Sequence, residues 1–240
     1  MNYADNQPES GFTWIPFFTE LADELATWRN RQSELISFLE SLREQGLNVT
    51  SLRESKAGGG KGQMTELDPF TFIGVLNRGI KQEDRFAIAR AYRDKFGLSA
   101  ASPEDFADVP LLAGLSARFM RDEREREDDA VDNLWDVFQL AIKPGALEDE
   151  QFLVSLDKAF HTRGVNINLT LGLFWIRPGE FVSLDSAIRD LLNIRLPGEG
   201  LTAAFYKDAV MAARKRGTPV HELSYRGRLD SDDEIGRAHV

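Results

Sequence analysis

The sequence predicts a mostly α-helical fold, a long N-terminal helix followed by a multi-helix domain with little or no β-sheet. Three observations predict it. Large apolar residues recur at steps of three and four through most of the chain. Helix-start residues followed by proline, and glycine stops, punctuate those runs. The one stretch with a two-residue period, Val165 to Leu173, has no second convincing strand to pair with. A lone strand leaves its backbone groups unsatisfied, so a buried helix running on through Phe174 and Trp175 is favoured over a strand.

The elements follow in order. Residues 1–15 read as a disordered N-terminus; Met1 to Gly11 is polar with no apolar signal core, so the expected location is the cytoplasm. From Pro16 to Gly46, Phe18, Leu21, Leu25, Trp28, Leu35, Leu39 and Leu42 form a heptad seam, broken only where Gln32 takes a seam position. A helix of that span is about 45 Å long. Phe17, Ile36 and Phe38 widen the stripe, which favours packing on its own domain over an intermolecular coiled coil. Residues 47–65 contain Gly58-Gly59-Gly60-Lys61-Gly62. A phosphate loop needs glycine four residues before Gly-Lys-Ser/Thr, but Lys56 stands there and Gly62 follows Lys61, so a Gly-rich flexible linker is expected.

A helical recognition or adaptor domain is expected over 66–222. Asp68 and Pro69 open a nearly all-apolar helix (Phe70, Phe72, Ile73, Val75, Leu76) that Asn77-Arg78-Gly79 closes. Gln82 to Phe96 forms the next helix, stopped by Gly97, and Ser102-Pro103-Glu104-Asp105 opens a short turn. Asp122 to Asp129, with six acids and two arginines, reads as a solvated loop or helix entry. Amphipathic helices follow around Val131–Ile142, Phe152–Phe160, Asp185–Asn193 and Leu201–Arg216. Residues 223–234 read as a lead-in to a further module. The last six, Ile235 to Val240, resemble one reading frame of a common sequencing adapter, so a truncated gene is expected.

Composition excludes several functions. The chain carries 39 acidic and 29 basic side chains, a net charge of -10, and no cysteine. It is not a generally basic DNA-coating protein, and thiolate chemistry, disulfides and Cys-based zinc sites are ruled out. No apolar run approaches the roughly 18 residues of a membrane span. The histidines, His161, His221 and His239, stand in no metal-ligand spacing, and capping accounts for Asp68 and Asp185. No catalytic residue and no cofactor is assigned. The remaining candidates for chemistry are arginines, amides and a tryptophan in apolar surroundings: Asn77, Arg78, Trp175, Arg177, Arg189, Asn193 and Arg195. Arginine forks suit phosphates and guanine edges, and aromatic faces suit stacked bases. The alternative is that each arginine caps a helix end or pairs with an acid.

DPFTFIGVLNRG (Asp68 to Gly79), PEDFADVPLL (Pro103 to Leu112), DNLWDVFQLA (Asp132 to Ala141) and NLTLGLFWIRPGEFVSLDS (Asn168 to Ser186) resemble the region upstream of the AAA-type GTPase module in McrB-like restriction proteins, and VHELSYRGRL (Val220 to Leu229) resembles the lead-in to that module. The resemblance runs from about Phe12 to Glu222. It implies a DNA-recognition or adaptor role in defence against foreign or modified DNA, with catalysis elsewhere. It also implies GTP or ATP with magnesium in a following module, a nuclease subunit as partner and a homo-oligomeric ring. Leu111-Leu112 and Ala187-Ile188 stand where such proteins carry polar residues, which weakens any ligand contact there. The competing expectation is a protein-interaction or oligomerisation module built on the N-terminal helix, with no nucleic acid involved.

Overall fold

The computed structural model describes residues 12–113, 116–223 and 225. The stretch before residue 12, most of the 223–234 lead-in and the 235–240 tail lie outside those residues. The N-terminal segment is helical from Trp14 to Glu44, in three pieces: α1 (Trp14–Leu25), a 3-10 stretch (Ala26–Arg31) and α2 (Gln32–Glu44). Helix begins before Pro16, which sits in the first turn, where backbone N–H groups have no intrahelical partner to lose. Trp14 is fully buried, so the expected disorder over 1–15 does not reach it. Every seam residue from Phe18 to Leu42 lies in the core of the same chain. The polar break at Gln32 has its own reason: its side-chain oxygen accepts the Leu67 N–H at 2.8 Å. Gly46, at φ 89°, turns the chain out, and its N–H returns to the Arg43 carbonyl.

Where a flexible linker is expected over 47–65, the chain folds into a hairpin. β1 (Arg53–Ser55) pairs antiparallel with β2 (Lys61–Gln63), Glu54 opposite Gly62. Gly59 and Gly60 adopt φ of 89° and 77°. The glycine run therefore supplies a turn that side chains with a Cβ resist. The hairpin is anchored by Glu54, which is 1% exposed. Its carboxylate accepts from Lys56 Nζ at 2.9 Å, Arg126 Nη1 at 2.6 Å and the Glu123 N–H at 3.1 Å. The acidic 122–129 stretch, read as solvated, is thus half of an ion-pair network.

α3 (Pro69–Gly74) is buried on every side and packs against α5 (Ala130–Ala141) and α7 (Asn168–Ile176). Asp68 caps it as its position predicts, accepting the Thr71 N–H at 2.8 Å. The helix stops at Gly74, and residues 75–79 turn rather than extend it to Gly79. α4 (Gln82–Phe96) ends on Gly97 at φ 65°. Its Tyr92 stacks on Phe72 at 4.5 Å and donates its hydroxyl to the Phe72 carbonyl at 2.8 Å. The turn expected at Ser102–Asp105 is irregular chain. α6 (Glu150–His161) lies between α5 and α9 (Ala203–Arg214), and α8 (Ser186–Leu192) starts from an Asp185 cap. α7 is the helix favoured for the 165–173 stretch; its residues from Leu169 to Ile176 are all buried. A segment buried on every face needs no helical period, which is why its sequence imitates a strand. No described helix is long and apolar enough to cross a membrane.

α7 approaches α3 at Gly172, where an added Cβ would lie 2.5 Å from Phe70 Cδ1. Phe70 is fully buried and has no free side to move into. Gly172→Ala is expected to cost about 2 kcal/mol by overpacking, seen by calorimetry as a melting temperature lower by about 4–8 °C.

Candidate anion-binding cleft

A cleft of about 930 Å³ opens where the chain leaves α3. Its cations are Arg53, Lys61, Arg78, Arg118 and Arg121; its carboxylates are Asp122 and Glu125. Cations dominate this lining on a chain whose net charge is -10.

Arg78 and Arg118 are placed by identifiable contacts. Arg78 follows α3 and is 2% exposed. Its backbone bridges to Leu112, and its guanidinium donates to the backbone carbonyl of Asn48 and, at 3.1 Å, to the Asn48 side-chain oxygen. Burial pulls its pKa below the usual arginine value. The turn that carries it is held by Arg85 of α4. Arg85 Nε donates to the Leu76 carbonyl at 2.7 Å and Nη2 to the Asn77 side-chain oxygen at 3.0 Å, with the guanidinium 3.9 Å above the Phe106 ring. Burial lowers the Arg85 pKa to about 10. Arg118 forks to the Asp122 carboxylate and to the carbonyls of Ser51 and Arg53, tying the cleft wall to β1. Burial pushes Asp122 up, but the Ser55 N–H at 2.9 Å and Arg118 outweigh it and hold the carboxyl below the usual range. Arg53, Lys61 and Arg121 are exposed, and none has a carboxylate within ion-pair distance among the described residues.

Of the residues singled out from sequence, Arg78 alone lines this cleft. Asn77 is fully buried and accepts from Arg85. Trp175 is fully buried and donates its indole N–H to the Pro110 carbonyl at 2.9 Å, so its ring presents no face to a base. Arg177 donates to the Ile142 carbonyl at 2.9 Å, to the Thr19 carbonyl at 3.3 Å and to Asp23, stitching α7 to α1. Arg189 Nε donates to the Leu184 carbonyl at 3.1 Å. Asn193, at φ 52°, ends α8, and Arg195 is exposed beyond it. Asn77, Trp175, Arg177 and Arg189 are instead engaged by side chains or carbonyls of the same chain, some of them distant in sequence. Sequence reading missed Arg53, Lys61, Arg118, Arg121 and the amides of Asn48 and Asn166. Their one signal is the glycine turn beside Lys61; Arg53 opens a three-residue strand, and the others sit in irregular chain with no periodicity to mark them. Among the described residues no group of three or more histidines and carboxylates is placed to hold a metal ion.

A family model matches residues 14–216. The chain belongs to that family, described as a domain of unknown function, DUF8425. Searches of curated proteins and of solved structures returned no match. The DUF8425 match starts at the first residue of α1 and ends just past α9, so the N-terminal helices, the hairpin and the whole cleft lie within one family unit.

In this DUF8425 chain the α3 cap is also a titrating group. Burial raises the Asp68 pKa to about 6, against the opposing hydrogen bonds from the Thr71 hydroxyl and N–H. Because the folded value lies above the ordinary 3.8, the neutral form favours folding below pH 4, and that contribution is lost as pH rises through 6. Asp68→Asn keeps a capping side chain without the charge. Urea titrations are expected to show wild-type stability falling relative to Asp68→Asn by roughly 2–3 kcal/mol between pH 4 and pH 7.

Proposed function

We propose that this chain is a non-catalytic recognition or adaptor region that contacts nucleic-acid phosphates at the cleft around Arg78. One observation carries the reading: exposed, unpaired Arg53, Lys61 and Arg121 share a concave lining with the fixed guanidiniums of Arg78 and Arg118 on an otherwise acidic chain. Phosphate binding needs locally concentrated arginine and lysine, and a local patch suffices. The reading therefore puts the contact at the cleft, which Arg177, Arg189 and Arg195 do not line.

The McrB-like segments supply the context. In this reading the region works in the cytoplasm as the front end of a restriction motor. GTP or ATP with magnesium is handled in a following AAA module, a nuclease subunit is the partner, and the assembled protein forms a homo-oligomeric ring. The rival interaction module loses its main support, because the N-terminal seam is buried against its own domain.

Fluorescence anisotropy with labelled DNA at low salt tests the contact. Arg53→Glu with Lys61→Glu is expected to weaken binding at least tenfold, while Arg195→Glu, outside the cleft, leaves it unchanged. Loss of binding in Arg195→Glu with no effect of the double variant would overturn the proposal.

A further inference from the structure

We propose that the cleft takes a run of two or three phosphates, carried on one unpaired strand or on a free nucleotide, and not the face of a duplex. The proposal rests on the cleft being the phosphate contact argued above. The cations available to a ligand are few. Arg118 is held by Asp122 and two carbonyls, and Arg78 by Asn48, which leaves Lys61, Arg121 and Arg53, whose guanidinium makes one exposed hydrogen bond to the Lys61 carbonyl at 3.2 Å, to meet new charge. The volume, about 930 Å³, is that of a ligand pocket and not of a groove tracking a polymer.

The surroundings limit length further. The 122–129 stretch leaves the cleft wall with Glu125, Asp128 and Asp129 exposed and unpaired among the described residues, against one unpaired arginine, Arg124. A duplex, with about one charge per 1.7 Å of axis, would lie over those carboxylates. A short strand entering the cleft would meet only Glu125 of the three, since Asp128 and Asp129 lie outside the lining. No aromatic ring is among the described residues of the lining, so bases have no stacking platform there. The cleft thus reads phosphates and their spacing, with Asn48 and Asn166 as polar partners, and is indifferent to base identity.

Anisotropy on the full chain, with labelled oligothymidylate, oligoadenylate and a duplex of equal length as probes and inorganic triphosphate and ATP as competitors, tests this. Expected are equal binding of the two single strands, duplex binding at least tenfold weaker, and a slope of log affinity against log salt of about -2, from about 0.7 per phosphate for a single strand. Arg121→Ala should reduce that slope by about 0.7, with thermal melting as the check on folding. Binding of a labelled ATP that inorganic triphosphate displaces, with no binding of either strand, supports the free-nucleotide source. Duplex binding as tight as single-strand binding, or a slope beyond about -4, overturns the inference while leaving the cleft as the contact. Absence of binding by every probe overturns both.

Discussion

A six-residue helix at the centre of the molecule sets the terms for what surrounds it. α3 is apolar on every face, so burying it stabilises the core, but its peptide dipoles and unmade hydrogen bonds are buried with it. Both ends must then be satisfied from within. Asp68 takes the N-terminal groups at the cost of a carboxylate so desolvated that its pKa approaches 6. Arg85, reaching from the next helix, takes the Leu76 carbonyl and steadies Asn77. The turn thus fixed delivers Arg78 to the cleft. Much of the polar chemistry near the cleft follows from the need to end a buried helix without orphaned backbone.

The second constraint is electrostatic. An acidic chain carries a cationic lining here, and two of the carboxylates beside it, Glu54 and Asp122, are neutralised by neighbours. Glu54 is surrounded by Lys56, Arg126 and the Glu123 amide, and Asp122 by Arg118 and the Ser55 amide. These pairs fix the hairpin to the 118–126 segment, and the hairpin in turn presents Arg53 and Lys61. Buried ion pairs seldom add much net stability. Their value here lies in register: they specify which irregular loop faces which strand.

Particular elements show what could be read from sequence. The N-terminal seam, the Asp68, Asp185 and Gly97 punctuation, and the helices around Trp135, Phe152 and Tyr206 were legible because each obeys a local rule of period or capping. The α7 stretch was legible only by exclusion, since a segment buried all round carries no period. The hairpin was not legible: two three-residue strands are too short to alternate visibly, and their stability comes from Glu54 meeting Arg126, which stands 72 residues away in sequence. The cleft was legible in one residue, Arg78. Trp175 and Arg177 have the right chemistry for a ligand, but carbonyls at distant positions take up their donors.

By itself, the sequence determined a helical, cysteine-free, acidic chain, where most of its helices start and stop, and which of their faces turn inward. Those properties depend on residues within a turn or two of one another. Tertiary structure decided which charges remain available. An arginine's role is set by the acceptors within reach of its guanidinium, and those acceptors arrive from other elements only when the chain packs. Arg118 and Arg53 look equivalent on paper; packing engages one with a carboxylate and leaves the other open to solvent.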